Sequence, residues 1–522
     1  MGPFVSTAGG TSPPAPPGPR PRRLGRATEQ QEAIFAALAG SSDAHLVVEA
    51  RAGTGKSSTC REAQHRQLEA RPDLRGLVRY AVFNKQNADE FRADCPPGVE
   101  VGTVHAFGYA VLRAKCGATV EKNKTYLVLD ESAEGARLPR YLRKSVAALA
   151  SHAKNQGLDP RADDLLRTLV RLASAYDVNA FGREQWLAGQ TAQVLRRSAE
   201  WTSLVDFDDM IWLPGLLKLP FPECAVLYLD EVQDWNPAQH RLVSLLCPEG
   251  RVVAVGDRYQ SIYQFRGADQ DSIPNLERQL GGQPRGLERL PLTITWRCPR
   301  SHVALAQEVV PDLQAAPNAA EGTVAHLDRG QAQAAYAPGD MVLCAANAPL
   351  VGEALGLIAS RRRAIVRGRA VGEQLHAVVR AAGDCRTVRD LARGVEDWRN
   401  RELSRLSALD GADDLVESVL DRAAGVQAVL ESCTSPADAP RVIDELFSET
   451  ASPRDCPGAV VFSTIHRAKG LEADRVFLLE VATRAPRQEW EAQQRRNLRY
   501  VALTRSKREL TFVTDGKKGE AS

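Results

Sequence analysis

The sequence predicts an α/β protein built from two parallel-sheet cores, each carrying a mostly helical insertion. Three observations lead there. Apolar runs of strand length recur along the chain: "AHLVVEA", "LVRYAVF", "AVLYLD", "RVVAVGD", "DMVLCA", "AVVFST", "RVFLLEV" and "ELTFVT". Helical stretches separate most of them, which is the pattern of parallel α/β sheets. Two regions, about 111–199 and about 371–454, break that alternation and read as helical, as in "DLARGVEDWRNRELSRL" and "DDLVESVLDRAAGVQAVL". The length of 522 residues leaves room for roughly three to four domains.

Composition narrows the class. Hydrophobic residues make up 43% and charged residues 25%, the balance of a globular chain in water. No run approaches a membrane-spanning length. A net charge of +2 argues neither for nor against nucleic acid, so any basic surface must be a local patch. The ten cysteines form no CxxC pair and no HExxH occurs, which leaves zinc sites, iron–sulfur clusters and a disulfide framework unsupported. A reduced, cytoplasmic setting is expected. The first 26 residues are rich in Pro and Gly and lack an apolar h-region. They read as a disordered tail in which Arg20, Arg22, Arg23 and Arg26 are solvated.

The chemistry begins after the first strand. From "ATEQQEAIFAAL" a helical period places Ala33, Ile34, Ala37 and Leu38 on one face, and "AHLVVEA" then runs straight into "RAGTGKSST". Ala50, Arg51, Ala52, Gly53, Thr54, Gly55, Lys56, Ser57 and Ser58 form a P-loop between strand and helix, with Ala50 in place of the usual first glycine. Backbone N–H groups from Gly53 to Ser57 can ring phosphates at the positive end of the following helix. Lys56 would reach the β- and γ-phosphates, and the Ser57 hydroxyl would bind Mg²⁺. A P-loop needs a carboxylate at the end of another strand, and "AVLYLDEVQD" supplies it. Asp230 can hold the Mg²⁺ water shell, and Glu231 beside it can polarise an attacking water.

At these residues the chain resembles the superfamily 1 (type A) helicases of the UvrD/Rep/PcrA kind, in ordered motifs from residue 28 to about 510. "DEVQD" followed by "GDRYQSIYQFRGA" is the strongest mark. "TEQQEAI" is similar to the adenine-reading motif, with Gln30 as the base contact. "VFNKQNADEF" (Phe83, Asn84, Lys85) and "VGTVHAFG" (Thr103, His105) are similar to the DNA-contacting motifs. "HAKNQGLDP" and "VDFDDMI" resemble linking segments of the first half. In the second half, Arg297 of "LPLTITWRCP" stands where the family carries an arginine finger, with Trp296 at an aromatic position. "STIHRAKGLEADRVFLL" resembles the fifth motif, through Thr464, His466, Lys469, Gly470 and Glu472, and "NLRYVALTRSKREL" the sixth, where Arg505 is the second finger. Gln260 would sense the γ-phosphate. Two arginines from a second core would neutralise charge on the transferred phosphoryl.

The resemblance implies two RecA-like P-loop NTPase cores. The first is expected at 27–110 and 200–285, with a helical accessory insertion at 111–199. The second is expected at 286–370 and 455–522, with a reduced helical insertion at 371–454. It further implies ATP and Mg²⁺ as cofactors, and single-stranded DNA and single-strand/duplex junctions as partners. The activity implied is an ATP-dependent DNA helicase moving 3′ to 5′ in repair, recombination or replication. The alternative is an ATPase or translocase that strips proteins or serves a partner nuclease or repair protein without processive unwinding. Two departures bear on base selectivity and local ion pairing: Ser58 stands where an Arg is frequent, and Arg495 where an acidic residue is common.

For bases, the resemblance favours stacking on Phe265. Tyr263 and Phe107 remain open between stacking and core packing. Lys85, Lys154, Asn155 and Arg266 are expected as phosphate or coupling contacts, where lone surface charges would otherwise be solvated.

Overall fold

The computed structural model describes residues 24–514 apart from 41, 83–84, 177, 181, 263–270, 384, 407–412, 449–451, 482–485 and 487–488. The expectations on Arg20, Arg22, Arg23, Phe83, Asn84, Tyr263, Phe265 and Arg266 lie outside the described residues.

The architecture is mixed α/β with two large, wholly parallel sheets. The first contains β1 (His45–Ala50), β2 (Val78–Val82), β3 (Val99–Thr103), β4 (Val226–Leu229), β5 (Arg251–Gly256) and β6 (Leu287–Leu292), in the spatial order β3-β2-β4-β5-β1-β6. The second contains β7 (Thr323–Asp328), β8 (Met341–Cys344), β9 (Ala364–Arg367), β10 (Phe447–Ser448), β11 (Val460–Thr464), β12 (Ala473–Leu479) and β13 (Ser506–Thr514), in the order β7-β13-β12-β8-β11-β9-β10.

Both sheets are covered on both faces, which is why their central strands read as continuous apolar runs. In β1, Leu46 and Val48 face one apolar cluster with Ile34, Tyr228 and Val255, while Val47 faces another with Leu227, Ala254 and Trp235. The second sheet alternates likewise: Val342 and Phe462 enter one cluster, Met341, Leu343 and Val476 the other. Because every pair is parallel, the loops after β1, β4 and β5 leave one edge of the first sheet, the edge where open α/β sheets bind ligands.

The limits of the expected units need correction. β6 pairs with β1 from His45–Leu287 to Ala50–Leu292, so the first sheet takes strand residues beyond 285. The first helical region leaves β3 directly as the helix Val104–Cys116. Its apolar cluster reaches from Leu112 to Leu213, past the expected limit of 199. At the second region β10 pairs with β9, so the chain is back in the sheet at Phe447, before 454. The four helices between them, Arg369–Ala381, Val388–Leu406, Asp413–Glu431 and Asp438–Leu446, share one apolar cluster with the sheet. They form a layer of the second core.

Candidate active site

The P-loop is shaped by two left-handed glycines. Gly53 has φ 73° and Gly55 has φ 81°, where a Cβ is strained. At Gly53 a Cβ would also lie 2.5 Å from Thr295 Oγ1 and 2.7 Å from Arg297 Cβ, so the loop packs directly against the segment carrying the candidate finger. The same segment is tied down by the Trp296 N–H donating to Gly53 O at 2.8 Å. The helix Lys56–Ala70 then begins at Gly55 with no side-chain cap, which leaves its first N–H groups available to an anion. Ser57 is exposed at that end, and Ser58 donates to Gly55 O.

Lys56 Nζ lies 3.2 Å from Glu231 Oε1. Burial alone would lower the Lys56 pKa, but Glu231, Asp257 and Asp230 outweigh it and raise it. Burial pushes the Asp230 carboxyl up, helped by the adjacent Glu231 charge. Burial acts the same way on Glu231, yet Lys56 and then Lys469 hold it below the usual carboxylate range. One carboxyl is thus made reluctant and the other firmly ionised. Asp230 accepts the Tyr80 hydroxyl at 2.7 Å and the Glu231 N–H at 2.9 Å. Glu231 itself sits at φ 52°, a left-handed backbone on a non-glycine residue, and Gln233 Nε2 donates to its carboxylate.

Gln30 follows from its helix start. Thr28 and Gln31 form a capping box, which fixes the first turn of Glu29–Ala39. Gln30 Oε1 accepts the Thr293 N–H at 2.9 Å and its Nε2 donates to Thr293 Oγ1 at 2.9 Å, leaving one donor and one lone pair of the amide for a base. Trp296 is 52% exposed, so its ring is open to stacking. Arg297 Nε donates to Glu472 at 2.8 Å, and Lys507 and Arg454 also pair with that carboxylate. Burial would raise Glu472, but Arg297 and Lys507 bring it down to about 2.

Arg505 is placed differently from an open finger. It is 1% exposed, and its guanidinium donates to Val501 O at 2.9 Å, Leu471 O at 3.2 Å and Thr504 Oγ1 at 3.1 Å. Burial, then neighbouring Arg297, lowers its pKa to about 10. Gln260 is also buried, its Nε2 donating to Asp257 Oδ2 at 2.7 Å. Arg51 turns its side chain away from the loop to a bidentate pair with Asp312 at 2.8 and 2.7 Å. Ala50, Ala52 and Thr54 are buried, Thr54 donating to Arg51 O at 2.8 Å.

The candidate nucleic-acid residues lie at strand ends. Thr103 ends β3 and caps the next helix by accepting the Ala106 N–H at 3.1 Å. His105 is half-buried in that helix, and burial lowers its pKa, so it contributes a neutral ring near pH 7. Lys85 is exposed at the start of the helix after β2. Thr464 ends β11 buried, and His466 follows half-buried.

At Phe107, left open between stacking and core packing, the structure decides for the core, and the phosphate contacts expected of Lys154 and Asn155 are corrected. Phe107 is buried, its ring 3.0 Å from where a Cβ on Gly102 would stand, and belongs to the core. Lys154 is 1% exposed and pairs with Asp206 at 2.7 Å and Asp209 at 2.8 Å, so it is no phosphate contact. Asn155 is spent on Ser151, Asp208 and Asn236.

Sequence reasoning named Lys469 only as part of the fifth motif and missed Tyr500 and Phe207. Lys469 bridges from the second core to Asp234 and donates to Gln260 O at 2.7 Å. The Tyr500 hydroxyl reaches the P-loop, accepting the Ala52 N–H at 2.8 Å. Phe207 is 51% exposed between buried Asp206 and Asp209, an aromatic that "VDFDDMI" contains but that no periodicity marks as outward.

Among known proteins, the UvrD/REP helicase N-terminal domain matches residues 27–281, and the UvrD-like helicase C-terminal domain matches residues 459–513. The ATP-dependent DNA helicase PcrA of Leuconostoc citreum is 28% identical over 275 residues, covering 46% of this chain and 34% of that protein. The ATP-dependent DNA helicase UvrD1 of Mycobacterium tuberculosis (strain ATCC 25618 / H37Rv) is 26% identical over 309 residues, covering 50% of this chain and 37% of that protein. The ATP-dependent DNA helicase Rep of Buchnera aphidicola is 27% identical over 197 residues, covering 34% of this chain and 28% of that protein. The chain thus spans about a third of the length of the first two. The two matched domains together cover more than half of the sequence, and between them lie the P-loop, the Asp230–Glu231 pair and the sixth-motif helix. The chain belongs to the UvrD/REP helicase family.

Proposed function

We propose that this chain is an ATP-driven motor that moves along single-stranded DNA, 3′ to 5′, and unwinds duplexes. The observation that carries the reading is the Lys56–Glu231 ion pair, which joins the P-loop lysine to a carboxylate 175 residues away beside the first helical N–H groups. Lys56 holds Glu231 firmly ionised and so weakly basic. A nucleotide γ-phosphate competes for Lys56. Glu231 then loses its strongest cationic neighbour, its pKa rises, and it becomes a better acceptor for the proton of an attacking water. Hydrolysis is thereby tied to occupancy.

Ser57 and Asp230 would hold Mg²⁺, which would supply positive charge to the phosphates. Among the described residues no group of three or more His, Cys, Asp or Glu could cage a metal. That fits Mg²⁺, which usually takes one or two carboxylates plus substrate phosphates. Gln30 and Trp296 would hold the base. Arg297, exchanged from Glu472, and Arg505, turned from its carbonyl partners, would meet the phosphoryl charge. Lys85, Thr103, His105, Thr464, His466 and the exposed Phe207 would take the strand.

A second reading keeps the ATPase and drops processive unwinding, leaving a translocase that strips proteins or drives a partner nuclease. It is favoured by the 369–446 helices being a layer of the second core, with no apolar core of their own among the described residues.

The test is ATP hydrolysis with and without single-stranded DNA, followed by strand displacement on 3′-tailed and 5′-tailed duplexes. Lys56→Ala and Glu231→Gln should each cut the stimulated rate by about 10²-fold or more. Unchanged rates in both variants would falsify the site. Translocation without displacement on either tail selects the second reading.

A further inference from the structure

Beside the Trp296–Gly53 contact, the second core reaches the P-loop backbone at the Ala52 N–H. Tyr500 lies on the helix Glu489–Leu503 and is fully buried among Ala52, Cys298 and Val303. Its hydroxyl accepts the Ala52 N–H at 2.8 Å and donates to Asp257 Oδ2 at 3.2 Å. That same Oδ2 accepts Gln260 Nε2 at 2.7 Å. Asp257 is 0% exposed and directly follows β5, where its Oδ1 takes the Tyr259 N–H at 3.1 Å. One carboxylate oxygen thus joins a second-core hydroxyl to the side chain read above as the phosphate sensor.

A parallel strut steadies the arrangement. Arg51 stacks over the Tyr259 ring at 5.0 Å, and Tyr259 meets Tyr500 edge-on at 6.2 Å. The far end of Arg51 is clamped by Asp312.

We infer that Tyr500 is a positioning residue for hydrolysis: its hydroxyl sets the Asp257 carboxylate, and through it the Gln260 side chain, according to where the second core stands against the P-loop. The inference rests on the proposed reading of Gln260. With the hydroxyl in place, Asp257 grips Gln260 Nε2 and the amide has one orientation. When the cores part, Oδ2 loses the hydroxyl that fixes its direction, the carboxylate can turn, and the Gln260 amide turns with it. A misplacement of about 1 Å is enough to slow chemistry severely without touching nucleotide binding.

The experiment is steady-state hydrolysis by the full chain with saturating oligo-dT. Tyr500→Phe keeps the ring in its apolar cluster and deletes only the hydroxyl. It should lower kcat about tenfold while the KM for ATP stays within about twofold. Asp257→Asn should act the same way, and the double variant should be no slower than the slower single variant, because both lie on one path. The inference is overturned if Tyr500→Phe matches the parent in kcat, if the loss falls in KM, or if the two losses multiply. A parent chain with no DNA-stimulated hydrolysis defeats the helicase reading itself. An active parent with an unaffected Tyr500→Phe defeats only the role of the hydroxyl.

Discussion

Residues 104–217 and 369–446 are both helical stretches that leave a strand and return to the same sheet, yet they are held by different physics. The first has a core of its own, built on Leu149, Leu169, Leu187 and Leu195. Within it lies a buried charge cluster in which Lys124 and Lys154 face Asp206 and Asp209. The second has no such separation: Leu375, Val395 and Val426 pack in the same cluster as Val342, Val366 and Phe462 of the sheet. A unit with its own core can shift against its neighbour by giving up only the contacts between them. A helical layer that shares a core cannot move without opening the sheet beneath it.

The largest effect expected from this contrast is at Val426, which is 0% exposed. Val426→Asp buries an unpaired carboxylate and should cost more than about 3 kcal/mol. Hydrogen exchange should accelerate both in the helices 369–446 and in β8, β9 and β11. Leu169→Asp, the matched change in the first region, should accelerate exchange within 104–217 and leave β1, β4 and β5 protected. Exchange confined to the helices in the Val426 variant would erase the distinction.

The charge cluster inside the first region comes next. Lys124 Nζ lies 2.7 Å from Asp209 Oδ2 with both side chains 0% exposed. Lys124→Met strands part of a buried negative charge and should lower stability by about 3–5 kcal/mol in denaturant unfolding. Adding Asp209→Leu should restore much of that loss. A Lys124→Met variant as stable as the parent would mean that the first region is held together by its apolar cluster alone.

The smallest effect is at Glu472, between the two cores. Its folded pKa is depressed from 4.5 to about 2. A depressed carboxylate gives stability that is fully present above pH 4.5 and lost as pH falls toward about 2. Glu472→Gln should therefore lower the Tm slightly at pH 7 and flatten its acid decline across that window. An unaltered acid limb would show that the Arg297 and Lys507 pairings contribute nothing to the closed fold.

These contrasts also mark where the sequence was readable. Central strands such as β1, β4 and β5 announce themselves because burial on both faces demands continuous apolar residues. The edge strand β6, "LERLPL", and the edge strand β7, "TVAHLD", do not: each has one neighbour, a partly wet surface and mixed polarity. Catalytic motifs were legible because the P-loop and Asp230–Glu231 are contiguous in sequence at strand ends. Lys154 was not. Its burial depends on Asp206, 52 residues away, and no local pattern separates a paired internal lysine from a solvated one. The same holds for Tyr500, whose hydroxyl meets a P-loop residue 448 positions earlier.

The backbone at Glu231 carries one more consequence. A left-handed φ of 52° on a residue with a Cβ costs of order 1–3 kcal/mol, a conformation that glycine takes freely. With Glu231 as the proposed base, the requirements of endurance and of turnover diverge at this position: glycine would make the fold sturdier and would carry no carboxylate. A screen that rewarded heat resistance alone would drift toward glycine here and select a robust, inert protein.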